Sequence, residues 1–238
     1  MLTALILTLG CDDGGQYGYA GYDMVDHFPL DGERSWTYTN DDVEWKLIVE
    51  MTDDKVQVED TTVRTFEYWQ SDSLGQKATL LMTASFSSDT YDGVQIHGYE
   101  VISDPVEWDT ANPGDDTGSG GDTGTTGFGP AELVEFDPPL VLADAKMAPG
   151  DTVETTTSGG TWTSEFKYQE ECPNNWIAGE NTWSCLYIEL DDGDGDLDSG
   201  AKVGGRYWIA PRYGMSWFQF AGDSSKWVLA RAEWSPEE

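Results

Sequence analysis

The sequence predicts an all-β domain built on a single antiparallel sheet, strongly curved or barrel-like, with a β-sandwich as the alternative. Three observations predict it. Apolar and polar residues alternate with a period of two. Turn signals separate the alternating runs at short intervals. No apolar pattern of helical spacing extends beyond about two turns.

The first alternation sets Val43, Trp45, Leu47 and Val49 against Glu44, Lys46 and Glu50, with Ile48 as the apolar exception. Strand-like runs follow at 62–70, 77–85 and 94–102, and then at 152–157. Trp162, Phe166 and Tyr168 point one way, while Thr163, Glu165, Lys167 and Gln169 point the other. Further runs lie at 185–190, 206–209 and 215–220. The last alternation puts Val228, Ala230, Ala232 and Trp234 opposite Leu229, Arg231 and Glu233. Between the runs stand Asp31-Gly32, Asp92-Gly93, Pro149-Gly150, Asp192-Gly193 and Tyr213-Gly214, pairs that favour tight turns. Aromatic residues favour strands and core, so Trp36, Trp69, Trp162, Trp208, Trp217 and Trp227 are expected inside. Trp176 and Trp183 are the ones expected to be exposed.

Residues 114–129 read GDDTGSGGDTGTTGFG. Such a stretch has too little apolar surface to offset its ordering entropy and is expected to be a flexible Gly/Asp/Thr insert. The strands on either side are amphipathic. Loop-closure entropy grows only as the logarithm of length, so one β-rich domain at 27–238 is expected to span the insert.

Asp plus Glu number 45 against 12 Lys plus Arg, a net charge of −33. This surface repels phosphate backbones and anionic lipid head groups, so neither nucleic-acid binding nor electrostatic adsorption to a membrane is expected. At 38% hydrophobic and 13% aromatic, the chain has the material for a core.

The first ten residues, MLTALILTLG, are apolar and uncharged. They are too few for the ~20 residues of a membrane-spanning helix but match a signal-peptide core. Cys11, Asp12, Asp13, Gly14 and Gly15 follow. Leu7, Thr8, Leu9, Gly10 and Cys11 resemble the lipobox of bacterial lipoproteins. That resemblance implies a signal peptide, lipidation at Cys11, and residues 12–26 as a flexible tether. It also implies a lipid-anchored place in the bacterial cell envelope, periplasmic or on the outer surface, with the membrane as partner. Asp12 resembles the signal that retains such proteins in the inner membrane of enteric bacteria. With Cys11 lipidated, Cys172 and Cys185 remain as an even pair, and an oxidising compartment allows them to bridge.

A second resemblance rests on Phe28-Pro29-Leu30, Gly32, Trp36 and Tyr38. It is similar to the F-P-L-x-x-G-x-x-W-x-Y opening of secreted or lipoprotein β-domains in bacteria, with one more residue between Gly32 and Trp36. Phe136-Asp137-Pro138-Pro139-Leu140 with Pro149-Gly150-Asp151, and Tyr207-Trp208-Ile209-Ala210-Pro211 with Gly214, resemble later stretches of the same domains. The resemblance implies an all-β extracytoplasmic domain and no particular activity.

Among the acidic residues, Asp192, Asp194, Asp196 and Asp198 alternate within seven positions, a supply of oxygens that calcium could use. The run is no EF-hand loop, because Leu197 and Val203 stand where Gly and Glu are required. A solvated turn between strands is the competing expectation. His27 and His97 are the only histidines. No G-x-S-x-G elbow or H-E-x-x-H pair accompanies them, so both are expected to be structural. Two functional classes follow. One is a non-catalytic binding or structural envelope protein, with an envelope protein, a glycan or an apolar ligand as partner. The other is a carboxylate-based hydrolase, which would need two facing carboxylates about 5–10 Å apart.

Overall fold

In the computed structural model, which describes residues 22–58, 61–103, 132–172, 184–193, 202–223 and 226–235, the alternating runs become strands. Cys11, the apolar run before it and the insert at 114–129 lie outside the described residues, as do Trp176 and Trp183. The folded part begins before His27. Tyr22–Asp23 forms β1, and Met24–His27 forms a single helical turn, α1. The Asp23 carboxylate accepts the Val25 N–H at 3.2 Å and caps that turn. Met24 is fully buried, so the tether expected over 12–26 ends by Tyr22.

The strands that follow are β2 (Glu33–Thr39), β3 (Leu47–Val58), β4 (Thr61–Ser71), β5 (Lys77–Asp89) and β6 (Gly93–Val101). After the insert come β7 (Glu132–Ala143), β8 (Lys146–Met147), β9 (Thr152–Thr157) and β10 (Gly160–Glu171). The chain ends with β11 (Ser184–Asp191), β12 (Gly205–Ala210), β13 (Gly214–Phe220) and β14 (Trp227–Ser235). β1 pairs with β8. The other strands form one twelve-stranded antiparallel sheet in the order β7-β6-β5-β4-β3-β2-β14-β13-β12-β11-β10-β9. Its two edges lie side by side, so the sheet nearly closes into a barrel. Across that seam the Val141 N–H donates to Thr155 Oγ1 at 3.3 Å, and Ser164 Oγ donates to the Leu142 carbonyl.

β7, like β1, β2 and β8, is absent from the alternating runs. It contains Pro138 and Pro139, which have no N–H to give to a ladder. The sheet places it at an edge, and its pairing with β6 skips from Leu140↔Ile96 to Glu135↔Gly98 across the prolines. An edge strand with a bulge is where proline is tolerated.

Bulges also correct two expected faces. The register of β10 shifts between Phe166 and Tyr168. Trp162 and Phe166 are buried in the barrel, but Tyr168 is turned out and 47% exposed. In β14 the buried residues are Trp227 and Leu229, not Val228 and Ala230. The register then shifts between Leu229 and Arg231, and Ala232 packs on the core beyond it. One inserted residue inverts the alternation for the rest of a strand. Val43 and Trp45 pack on the core from the connection before β3.

The barrel is filled by large side chains, among them Trp36, Tyr38, Phe66, Tyr68, Phe86, Phe166, Tyr207, Phe218 and Trp227. A cavity of about 10 Å³, room for about one water, lies between Phe28, Trp36, Phe66 and Met215. α1 and Phe28 close the end that carries the β5–β6 and β12–β13 turns. There Met24 N–H donates to the Ala145 carbonyl at 3.2 Å and Arg212 N–H to the Asp26 carbonyl at 2.8 Å.

Gly205 opens β12 at φ 125°, and a Cβ there would stand 2.1 Å from the Gln219 carbonyl oxygen. Strain and clash together should make Gly205→Ala destabilising by more than about 2 kcal/mol. Urea unfolding followed by tryptophan fluorescence measures it, and a midpoint equal to wild type would contradict this account.

Candidate functional site

On the outer face of β10 to β13 four aromatic rings stand in one row. Each occupies the position opposite the next: Tyr168↔Tyr187, Tyr187↔Trp208 and Trp208↔Trp217. The β10 bulge brings Tyr168 into this row, because without the inserted residue its ring would point inward. Ring centroids are 5.0 Å apart for Tyr168–Tyr187, 4.5 Å for the stacked Tyr187–Trp208 pair and 5.7 Å for the edge-on Trp208–Trp217 pair. Such cross-strand aromatic pairs stabilise a sheet beyond their burial.

The surroundings of the row are charged and mostly paired. Lys226 Nζ lies 4.1 Å from the Trp208 ring centre and 4.8 Å from that of Trp217, a cation held between two π faces. Burial lowers the Lys226 pKa and Arg206 adds to this, while Glu170 opposes it. The Trp208 indole N–H donates to Glu170, and the Tyr187 hydroxyl donates to Glu189. Burial, and then that bond to Glu189, raise the Tyr187 pKa. Lys167 bridges Glu165 at 2.7 Å and Glu189 at 3.0 Å. Its hydrogen bonds to these two carboxylates raise its pKa.

Beside the row, Cys172 and Cys185 form a disulfide with Cα atoms 4.9 Å apart, as the even cysteine pair implied. Both pack with Tyr187, Trp208 and Ala210 in a cluster separate from the barrel interior. Trp208 is 3% exposed, so the expectation of a buried ring holds, but the ring lies outside the sheet. The accessible part of the row is Tyr168, flanked by Lys167 and Glu165. Chemically, this arrangement offers a stacking face with hydrogen-bonding groups at its margin.

The other residues singled out by sequence fall elsewhere. Asp192 follows β11, where Gly193 N–H donates to Asp191 Oδ1 at 2.8 Å. Asp194, Asp196 and Asp198 lie outside the described residues. Among the described residues, no group of three or more His, Cys, Asp or Glu is placed to hold a metal. His27 Nδ1 sits 2.8 Å from the Asp23 carbonyl at the end of α1, and burial lowers its pKa. His97 Nε2 lies 2.9 Å from Ser87 Oγ. That serine is 1% exposed, and burial alone accounts for the lowered pKa of His97. The buried serine offers a substrate little of the access that nucleophilic catalysis needs.

Sequence reasoning did not single out Lys226 or Glu170, and it placed Tyr168 on the wrong face. The tandem of Trp208 and Trp217 on neighbouring strands was the available signal, but it becomes a row only once the strand register is known.

No protein-family model, no curated protein and no solved structure matches the chain. Its functional reading therefore rests on its own geometry.

The disulfide spans 13 positions and contributes on the order of 3 kcal/mol in the chain-entropy model. Replacing both cysteines by Ser should lower stability by about that amount and loosen the packing of Trp208, read as a loss of near-ultraviolet circular dichroism. An unchanged urea midpoint would rule out this role.

Proposed function

We propose that the protein is a membrane-anchored extracytoplasmic lipoprotein of the bacterial envelope, acting as a non-catalytic binding module. The observation that carries this reading is the filled barrel. Large rings pack its interior, and the cavity between Phe28, Trp36, Phe66 and Met215 holds about 10 Å³, which directs recognition to the outer surface. There the aromatic row presents Tyr168 on a rigid four-strand platform. An aromatic ring edged by carboxylates and an ammonium suits a glycan, whose apolar face stacks while its hydroxyls bond to the charged margin. The Cys172–Cys185 bridge fits an oxidising compartment outside the cytoplasm. The anchor in this reading is the lipid on Cys11, since a surface of net charge −33 does not adsorb to anionic lipid by itself.

Two outcomes are expected. Cys11→Ser should release the protein from the membrane fraction of the bacterial host and abolish incorporation of labelled palmitate. Retention and labelling equal to wild type would refute the anchor. Titration of soluble cell-wall oligosaccharides, followed by tryptophan fluorescence, should give binding that Tyr168→Ala weakens by about tenfold, equivalent to ~1.4 kcal/mol. Binding that is indifferent to this change would remove the aromatic row from the recognition surface.

A further inference from the structure

The barrel end opposite α1 is closed by the turn between β13 and β14. Asp223 belongs to that turn and is 6% exposed. Its Oδ2 accepts the indole N–H of Trp227 at 2.9 Å, while Oδ1 is buried with no hydrogen-bond partner among the described residues. The Asp223 N–H donates to the Phe220 carbonyl at 3.0 Å, and its own carbonyl accepts Gln219 Nε2 at 3.0 Å. Trp227 is fully buried and its ring lies 4.9 Å from that of Trp45. One carboxyl thus bonds the end of β13 to the first residue of β14.

Among the described residues, this junction has the shortest ladder in the large sheet. β13 and β14 share two register pairs, Trp217↔Val228 and Phe218↔Trp227, whereas each other neighbouring pair shares four or more. Where the ladder is short, the Asp223–Trp227 bond carries more of the closure.

We propose that Asp223 is a proton-controlled latch on the β13–β14 junction. With its proton bound, the carboxyl holds this end of the barrel shut. With the proton lost, the buried charge loosens the junction.

The groups that face Asp223 set the direction. Lys202 approaches from the β11–β12 connection, where its Nζ donates to the Ala221 carbonyl at 3.4 Å. Tyr207 comes from β12, and burial raises the pKa of its hydroxyl, so it stays protonated. Lys202, the Trp227 N–H and a backbone hydrogen bond at Phe220 favour the carboxylate. Burial disfavours it more strongly, and the Asp223 carboxyl is pushed up to about 7. The folded value stands above the ordinary carboxyl value of 3.8. The latch is therefore fully favoured below about pH 4, and its contribution is lost as pH rises towards 7.

Backbone hydrogen exchange on the full chain tests this, with mass spectrometry of peptides covering 214–235 at pH 5.5 and 8.0 and correction for intrinsic exchange. Opening of these peptides should rise by about tenfold or more at the higher pH, while peptides of β4 and β5 stay protected. Asp223→Asn keeps the acceptor for Trp227 and cannot ionise, so the rise should vanish. Lys202→Met removes a charge that favours the carboxylate, so the rise should move to higher pH. A wild-type profile flat with pH, or a rise that persists in Asp223→Asn, would overturn the proposal. If Asp223→Asn does not fold, Lys202→Met decides, and an unshifted profile there overturns it equally.

Discussion

Trp36 stacks on Phe66 with centroids 5.5 Å apart and planes 15° from parallel. Phe86 meets Phe66 edge-on at 4.9 Å, and Phe28 packs 5.3 Å from Phe86. The Trp36 indole N–H donates to the Tyr213 carbonyl at 2.7 Å. These rings come from β2, β4, β5 and the segment after α1, and the carbonyl comes from the β12–β13 turn. The cluster therefore joins the early strands to the late ones. A twelve-stranded sheet that curls onto itself encloses more volume than aliphatic side chains readily fill, and an unfilled interior forfeits dispersion contacts on every wall. Large rings meet that demand. They also hold β2 between β3 and β14, where the first and last strands of the large sheet meet.

Filling a barrel with Tyr and Trp brings polar atoms inside with the rings. The structure satisfies most of those it buries. The Tyr38 hydroxyl donates to the Met215 carbonyl at 2.7 Å, and the Tyr207 hydroxyl donates to the Val203 carbonyl. The Tyr68 hydroxyl and Asp223 Oδ1 are left without partners among the described residues. A buried unpaired acceptor costs on the order of 1–3 kcal/mol. The same filling leaves the aromatic row on the outer face of the sheet. There the few cations of a chain with net charge −33 are set against carboxylates or rings, as with Lys77 on Glu50 and Trp69 and Lys167 between Glu165 and Glu189. Exposed ion pairs of this kind stabilise little, and they mainly fix where charge sits around the aromatic row.

Much of the fold was legible in the sequence. Alternation located β4, β5, β6, β9, β11, β12 and β13 within a few residues, because amphipathic strands bury every second side chain. Turn pairs such as Asp92-Gly93 and Tyr213-Gly214 marked junctions where the backbone adopts positive φ, 75° at Gly93 and 72° at Gly214. The cysteine pair was legible because, with Cys11 set aside, the two remaining thiols have each other as partner. The outer row was not legible. Phe166 and Tyr168 share a parity in sequence, and the bulge between them is invisible to any count of alternate residues.

The sequence by itself determined the strand content, the antiparallel character, the aromatic supply for the core and the Cys172–Cys185 bridge. All but the bridge follow from local rules, side-chain period and turn chemistry, that act within a few residues of the chain, and the bridge follows from the cysteine count. The strongly curved, barrel-like sheet that alternation predicted is the one that forms, but tertiary structure alone decided its strand order, that the proline-bearing β7 lies at its edge, and that Tyr168 faces outward. It also decided that Asp223, an ordinary acid in a chain with 45 of them, is buried against Trp227. Each of these depends on which strand becomes a neighbour, and partners such as β2 and β14 are almost two hundred residues apart in the chain. Local periodicity carries no information about that choice. It is made by the volume the rings must fill and by the edge that can accept a strand unable to donate its full set of hydrogen bonds.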